Sequence, residues 1–175
     1  MHKFLTLEGI LLIIGYLVLA FLIVWFISLF KYKNDDETRR YFFLGFGFKM
    51  ACCLGYALIY DFYYGWAGDT YIYYLSSQRL GMVLFQDPAS YFRIIFDTID
   101  SNNINTLASG LAYYPVLRDP SRYAVHRFLS PFAIMGGANY YTVNICLSVF
   151  LFLLNWKFFQ YIRTKINCSD KAAFI

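Results

Sequence analysis

Gly9 to Phe30 is a run of 22 residues without a charge. As a helix rising about 1.5 Å per residue it covers about 33 Å, enough to cross the hydrocarbon core of a bilayer. A secretory leader is the competing reading. This run is longer than a usual leader core, has no A-x-A cleavage pattern behind it and passes into a charged turn. It reads as a retained membrane-spanning helix with Glu8 near the headgroups. The chain is 59% hydrophobic and 22% aromatic, whereas soluble domains are usually less than half apolar. The net charge of +4 is too small and scattered for a nucleic-acid partner.

Two further apolar stretches repeat the signal. Tyr41 to Tyr60 is interrupted only by Lys49, and Tyr140 to Trp156 carries no charge. The expected spans lie near 9–30, 41–60 and 140–160. Gly47, Ala51 and Gly55 recur every four residues, forming a stripe where a partner helix can approach closely. Cys52, Cys53, Cys146 and Cys168 form no CxxC and have no His beside them, so they read as small apolar side chains rather than zinc ligands or a disulfide framework.

Orientation follows from Lys and Arg in the short connections. Residues 31–40 carry four, 157–171 carry four, and the N-terminal tip carries only Lys3. The positive-inside rule places the 31–40 loop and the C-terminal tail in the cytoplasm, and the N-terminus and the 61–139 loop outside. The chain ends on a charged turn followed by Ala172-Ala173-Phe174-Ile175, the start of another apolar run. The whole is expected to be a single membrane region, the N-terminal part of a longer polytopic protein.

The 61–139 loop is too polar to cross a membrane and too aromatic for a disordered linker. Asp87-Pro88 starts a helix over 87–99, with Asp as N-cap and Pro in the first turn. Phe92, Ile95, Phe96 and Ile99 then share a face, with Arg93 and Asp97 on another. Residues 121–135 form a second helix, with Val125, Phe128, Leu129 and Phe132 on its apolar side, a bend or break at Pro131 and a stop at Gly136-Gly137. A polar turn covers 101–106. Both helices are expected to lie in the membrane interface. The fold class is therefore all-α: a polytopic integral membrane protein with three transmembrane helices and interfacial amphipathic helices in a long external loop.

Several residues in this frame can carry chemistry. Asp69, in Gly68-Asp69-Thr70, lies just outside the second span. It reads either as a helix cap accepting from the amide of Tyr71 or Ile72, or as a catalytic carboxylate. Asp61, at the exit of the span, reads as a solvated interfacial charge; if the chain turns back after Tyr60, it shares a site with Asp69. Lys49 is an ionisable group near mid-membrane, expected to face protein or a cavity rather than lipid. Arg118, Arg122, His126 and Arg127 form a basic cluster. Arg118, Arg122 and His126 are expected on one helix face, toward headgroups, where they anchor the loop or hold a lipid phosphate. No Walker loop, GxGxxG, HExxH or GxSxG occurs.

The stretch Tyr63-Tyr64-Gly65-Trp66-Ala67-Gly68-Asp69-Thr70-Tyr71-Ile72-Tyr73 is similar to the Tyr-Tyr-x-x-Gly-Asp-Thr-x-x-Tyr segment of a group of bacterial membrane proteins, with one extra residue in the spacer. A span, an outward loop with an acidic residue, interfacial helices and another span resemble the N-terminal part of polytopic membrane glycosyltransferases of the GT-C type. That resemblance covers roughly residues 41–160. It departs from the family in having an extra preceding span and no paired acidic motif at Asp69. It implies transfer of a sugar from a polyprenyl-phosphate donor at the outer face of a bacterial cytoplasmic membrane. Asp69 would be the catalytic base or the ligand of a divalent metal. Asp61, Lys49, Tyr73, Arg118, Arg122 and His126 would bind substrate, and the run from Tyr63 to Tyr74 would stack on a sugar or pack on lipid. The alternative is a non-catalytic membrane scaffold or a component of polysaccharide assembly or transport. The implied partners are a lipid-linked sugar or lipid phosphate, membrane lipids, and helices docking on the Gly47–Gly55 stripe.

Overall fold

The computed structural model describes residues 5–65, 68–96, 120–137 and 139–166. Among these residues there are six helices and no strand: α1 (Leu7–Lys31), α2 (Asp36–Phe62), α3 (Asp69–Gln86), α4 (Pro88–Phe96), α5 (Pro120–Gly136) and α6 (Tyr140–Ile166). Three of them, α1, α2 and α6, are long and apolar enough to cross a membrane, where the uncharged runs predicted them. Sequence patterning named two helices in the long loop; the structure adds α3, an 18-residue helix before both of them. The turn at 101–106, the end of the 87–99 helix beyond Phe96, Arg118 and the tail after Ile166 lie outside the described residues.

The chain divides into two compact units, Met1–Leu58 with Asn144–Ile175, and Ile59–Val143. In the first, α1 starts at Thr6, whose hydroxyl accepts from the Gly9 amide at 3.1 Å, satisfying one of the donors a helix start leaves open. A narrow stripe of α1 is buried, Ile13, Ala20, Val24 and Ser28, while Leu11, Val18, Phe26 and Phe30 are exposed. A helix apolar on every side is built for lipid or for the middle of a bundle. Asp35 caps α2 through the Thr38 amide at 3.0 Å, and hydrogen bonds from Thr38 hold the Asp35 carboxyl below its usual range. The inward stripe of α2 is Phe42, Phe46, Met50 and Ala57. Phe42 and Phe46 each meet Phe152 of α6 at 5.2 Å between ring centroids.

One end of this unit is polar and cross-linked. Trp156 and Gln160 donate to the Tyr32 hydroxyl at 2.8 Å each, and Arg163 donates to Thr38 at 2.9 Å. The two short basic stretches thus meet at a common end. Lys49 sits half-buried on the flank of the inward stripe of α2. The Gly47–Ala51–Gly55 stripe is open: a Cβ added at Gly47 or Gly55 meets no atom within 4 Å, and Ala51 is exposed.

In the second unit α3 packs against α4 and α5. Gly81 permits the approach of α5, since a Cβ there would lie 2.8 Å from Ile134 Cγ1. Asp87 caps α4 as predicted, accepting from both the amide and the hydroxyl of Ser90, with Pro88 at the first helical position. Leu80 of α3 packs on Tyr91 and Ile94 of α4, with Val83, Leu84, Ile95 and Ile134 around them. Pro131 does not break α5, which runs unbroken to Gly136. The predicted stop holds. Gly137 has φ +67°, and Thr142 donates its hydroxyl to the Gly136 carbonyl. Asn139 then starts α6, its side chain accepting from the Tyr141 amide at 2.9 Å.

The apolar faces read from sequence pack only in part: Ile95 lies against the core of Leu80, Tyr91 and Ile94. Phe92 and Phe96 are exposed while Tyr91 and Ile94 turn inward; on α5, Val125 and Phe128 are exposed while His126, Ser130 and Ala133 turn inward. Phe132 is the member of the sequence-read face that is buried.

Candidate functional site

The corner between α2 and α3 is built by aromatic rings and two glycines. The amides of Tyr63 and Tyr64 both donate to the Ile59 carbonyl, at 2.9 and 3.4 Å, tightening the last turn of α2. Gly65 then takes φ +53°, a left-handed conformation that side chains disfavour. The Tyr60 ring lies against Gly68 so closely that a Cβ at Gly68 would be 2.7 Å from Cε1. Tyr60 also stacks on Tyr64 at 4.9 Å, and Tyr64 meets Tyr63 edge-on at 5.0 Å. The chain therefore does turn back on itself, bringing the start of α3 to the end of α2.

The two carboxylates of this corner have opposite surroundings. Asp69 is exposed and is the first residue of α3. It is not the cap: Gly68 holds that position, and the Tyr71 and Ile72 amides donate to the Gly68 carbonyl at 3.1 and 3.4 Å. At the first position its carboxylate meets the positive end of the helix dipole. Asp61 is not a solvated interfacial charge. It is 2% exposed and accepts from the Tyr141 hydroxyl at 2.6 Å, because the start of α6 folds against the end of α2 within this unit. Burial of a carboxylate needs such a donor.

The interior beside the corner is polar. Tyr141 neighbours Tyr140, whose ring meets Tyr74 edge-on at 5.5 Å. Burial pushes the Tyr74 hydroxyl above its ordinary pKa. Thr70, Ser76 and Ser77 of α3 have buried hydroxyl oxygens with no hydrogen-bond partner. His126 is fully buried, its ring 5.3 Å from that of half-buried Tyr73. This corrects the expectation that His126 faces headgroups: the side of α5 that carries it is the side that packs on α3.

Of the residues named from sequence, Tyr73 and His126 come together, and Asp61 and Asp69 flank one corner. Lys49 belongs to the other unit, Arg122 lies in the first turn of α5, and Arg118 lies outside the described residues. Sequence reading missed Tyr141, and it placed Tyr74 in the run that stacks on a sugar or packs on lipid, whereas the structure buries it. The Asn139-Tyr140-Tyr141 run at the head of the third span was the available signal, since paired tyrosines at a span end often carry a buried hydroxyl needing a partner. Among the described residues no group of three or more His, Cys, Asp or Glu is placed to hold a metal ion. No family model, curated protein or solved structure matches this chain.

Proposed function

We propose that this chain is a membrane glycosyltransferase-like protein, or part of one, that transfers a sugar from a polyprenyl-phosphate donor. The observation that carries the reading is the corner itself: an exposed carboxylate, Asp69, opens α3 next to Gly68, against which Tyr60 packs, and Tyr60 stacks on exposed Tyr64. Tyrosine faces stack on sugar rings while a carboxylate takes hydroxyl protons.

In this reading Asp69 takes the proton of an acceptor hydroxyl. The freed oxygen attacks the anomeric carbon, forming the new C–O bond as the bond to the phosphate oxygen breaks. The polyprenyl phosphate departs with that electron pair, and Arg118 and Arg122 neutralise it. Buried His126, its ring 5.3 Å from that of Tyr73, faces the interior of the unit rather than the phosphate.

The test is Asp69→Asn in membranes holding the natural protein, with transfer from a polyprenyl-phosphate sugar as the readout. Because Gly68 is the cap, the amide costs α3 only its charge at the dipole. Turnover is expected to fall about 10²–10⁴-fold. A folded Asn variant with normal transfer removes Asp69 from catalysis. It would favour the second reading, a non-catalytic scaffold of polysaccharide assembly or transport, which the open Gly47–Gly55 stripe supports.

A further inference from the structure

Beside its apolar core of Leu80, Tyr91 and Ile94, the second unit holds polar groups inside and large apolar groups outside. In water, an amphipathic helix turns its apolar stripe inward and its polar residues outward. Here the inward positions of α3 and α5 include Ser76, Ser77, His126 and Ser130, each at most 2% exposed. The outward positions carry Met82 and Phe85 on α3, Phe92 and Phe96 on α4, and Phe128 and Met135 on α5, between 49 and 78% exposed.

These outward rings are not scattered. Phe92 and Phe96 lie one helical turn apart and stack nearly parallel, with 6.3 Å between centroids. Exposed Arg93 sits on the flank of the same face. Phenylalanines with a neighbouring arginine are the pattern of a helix lying at a bilayer surface, with rings among the acyl chains and the guanidinium among phosphates. The unit also starts at the last turn of α2 and ends at the first turn of α6. Both α2 and α6 are candidate membrane spans, so the chain delivers each of its ends to a membrane surface.

A protein partner would fit a rigid apolar patch equally well on area alone. Lipid is favoured by exposed Arg93 on the flank of the stacked Phe92 and Phe96, and by the continuity of the unit with two candidate membrane spans.

We infer that the face bearing Met82, Phe85, Phe92 and Phe96 is a membrane-docking surface whose occupant is the acyl-chain boundary of a phospholipid leaflet. The polar groups between α3 and α5 are shielded from lipid by their own helices. This does not rest on sugar transfer; it concerns what surrounds the unit, whatever the unit does.

The experiment is spin-label accessibility in the full chain reconstituted into phospholipid vesicles. Single cysteines at Phe85→Cys, Phe92→Cys and Phe96→Cys are made after the native cysteines are replaced by serine. Each label is exposed to oxygen, which concentrates in lipid, and to a polar nickel chelate, which stays in water. The expected result is several-fold greater collision with oxygen than with nickel at all three positions, and relatively more nickel access at Arg93→Cys. Nickel access equal to oxygen access at Phe85, Phe92 and Phe96 means water and overturns the inference. Access to neither reagent means a protein cover and also overturns it. If the variants fold poorly, a carbene photolabel dissolved in the bilayer tests the unsubstituted chain. Labelling of the 82–96 peptide supports the inference, and its absence beside labelled α1 overturns it.

Discussion

Tyr141→Phe removes one oxygen atom, and the structure sets what that costs. The hydroxyl donates to Asp61 at 2.6 Å, within the short range for a hydroxyl bonded to a carboxylate. Tyr141 is 1% exposed and Asp61 2%, so water does not replace the lost donor. A hydrogen bond to a charged group contributes about 1.5–3 kcal/mol. Asp61 has other contacts as well, which puts the expected loss near 2 kcal/mol by the same scale. For a chain of this size that lowers the melting temperature by roughly 4–8 °C. The measurement is equilibrium unfolding of the purified chain in micelles, followed by helical circular dichroism. Tyr161→Phe, exposed at the surface, serves as the control and should leave stability unchanged. The decisive arm is the double-mutant cycle. In an Asp61→Ala background, Tyr141→Phe should cost nearly nothing, because its acceptor is already gone. An equal cost in both backgrounds would refute the pairing and leave Tyr141 as a packing residue only.

Other expectations follow from separate features. Ser77→Ala removes a buried hydroxyl without a partner and adds a better helix former, so stability should hold or rise by up to about 1 kcal/mol; a loss of that size would mean the hydroxyl is satisfied by bound water. Hydrogen bonds from Ser90 lower the Asp87 carboxyl, so its stabilisation of α4 is full above the ordinary aspartate value of about 3.9 and is lost as pH falls through the depressed one. Amide exchange at Ser90 should quicken only in that acid window, and Asp87→Asn should abolish the pH dependence. For topology, an impermeant thiol reagent outside the cell should label Asn103→Cys and spare Asn34→Cys; the opposite pattern would invert the orientation drawn from the basic loops.

What sequence alone determined here is what depends on a few neighbouring residues. The three long apolar helices follow from run length against bilayer thickness. The start of α4 at Asp87 and the stop at Gly136-Gly137 follow from capping chemistry that acts within one turn. The turn between α2 and α3 entered the sequence reading only as a condition; the structure supplies it, with Gly65 at φ +53° and the Tyr60 ring against Gly68. Tertiary structure decided the rest. Asp61 meets a tyrosine 80 positions away, and no local pattern reports such a partner. His126 and the phenylalanines of α4 and α5 show a different limit. Helical periodicity divides a helix into an apolar side and a polar side, but which residues pack depends on the neighbouring helices. In this unit Ser77, Gly81, His126 and Ser130 turn in beside Leu80 and Phe132, while Phe85, Phe92, Phe96 and Phe128 remain outside.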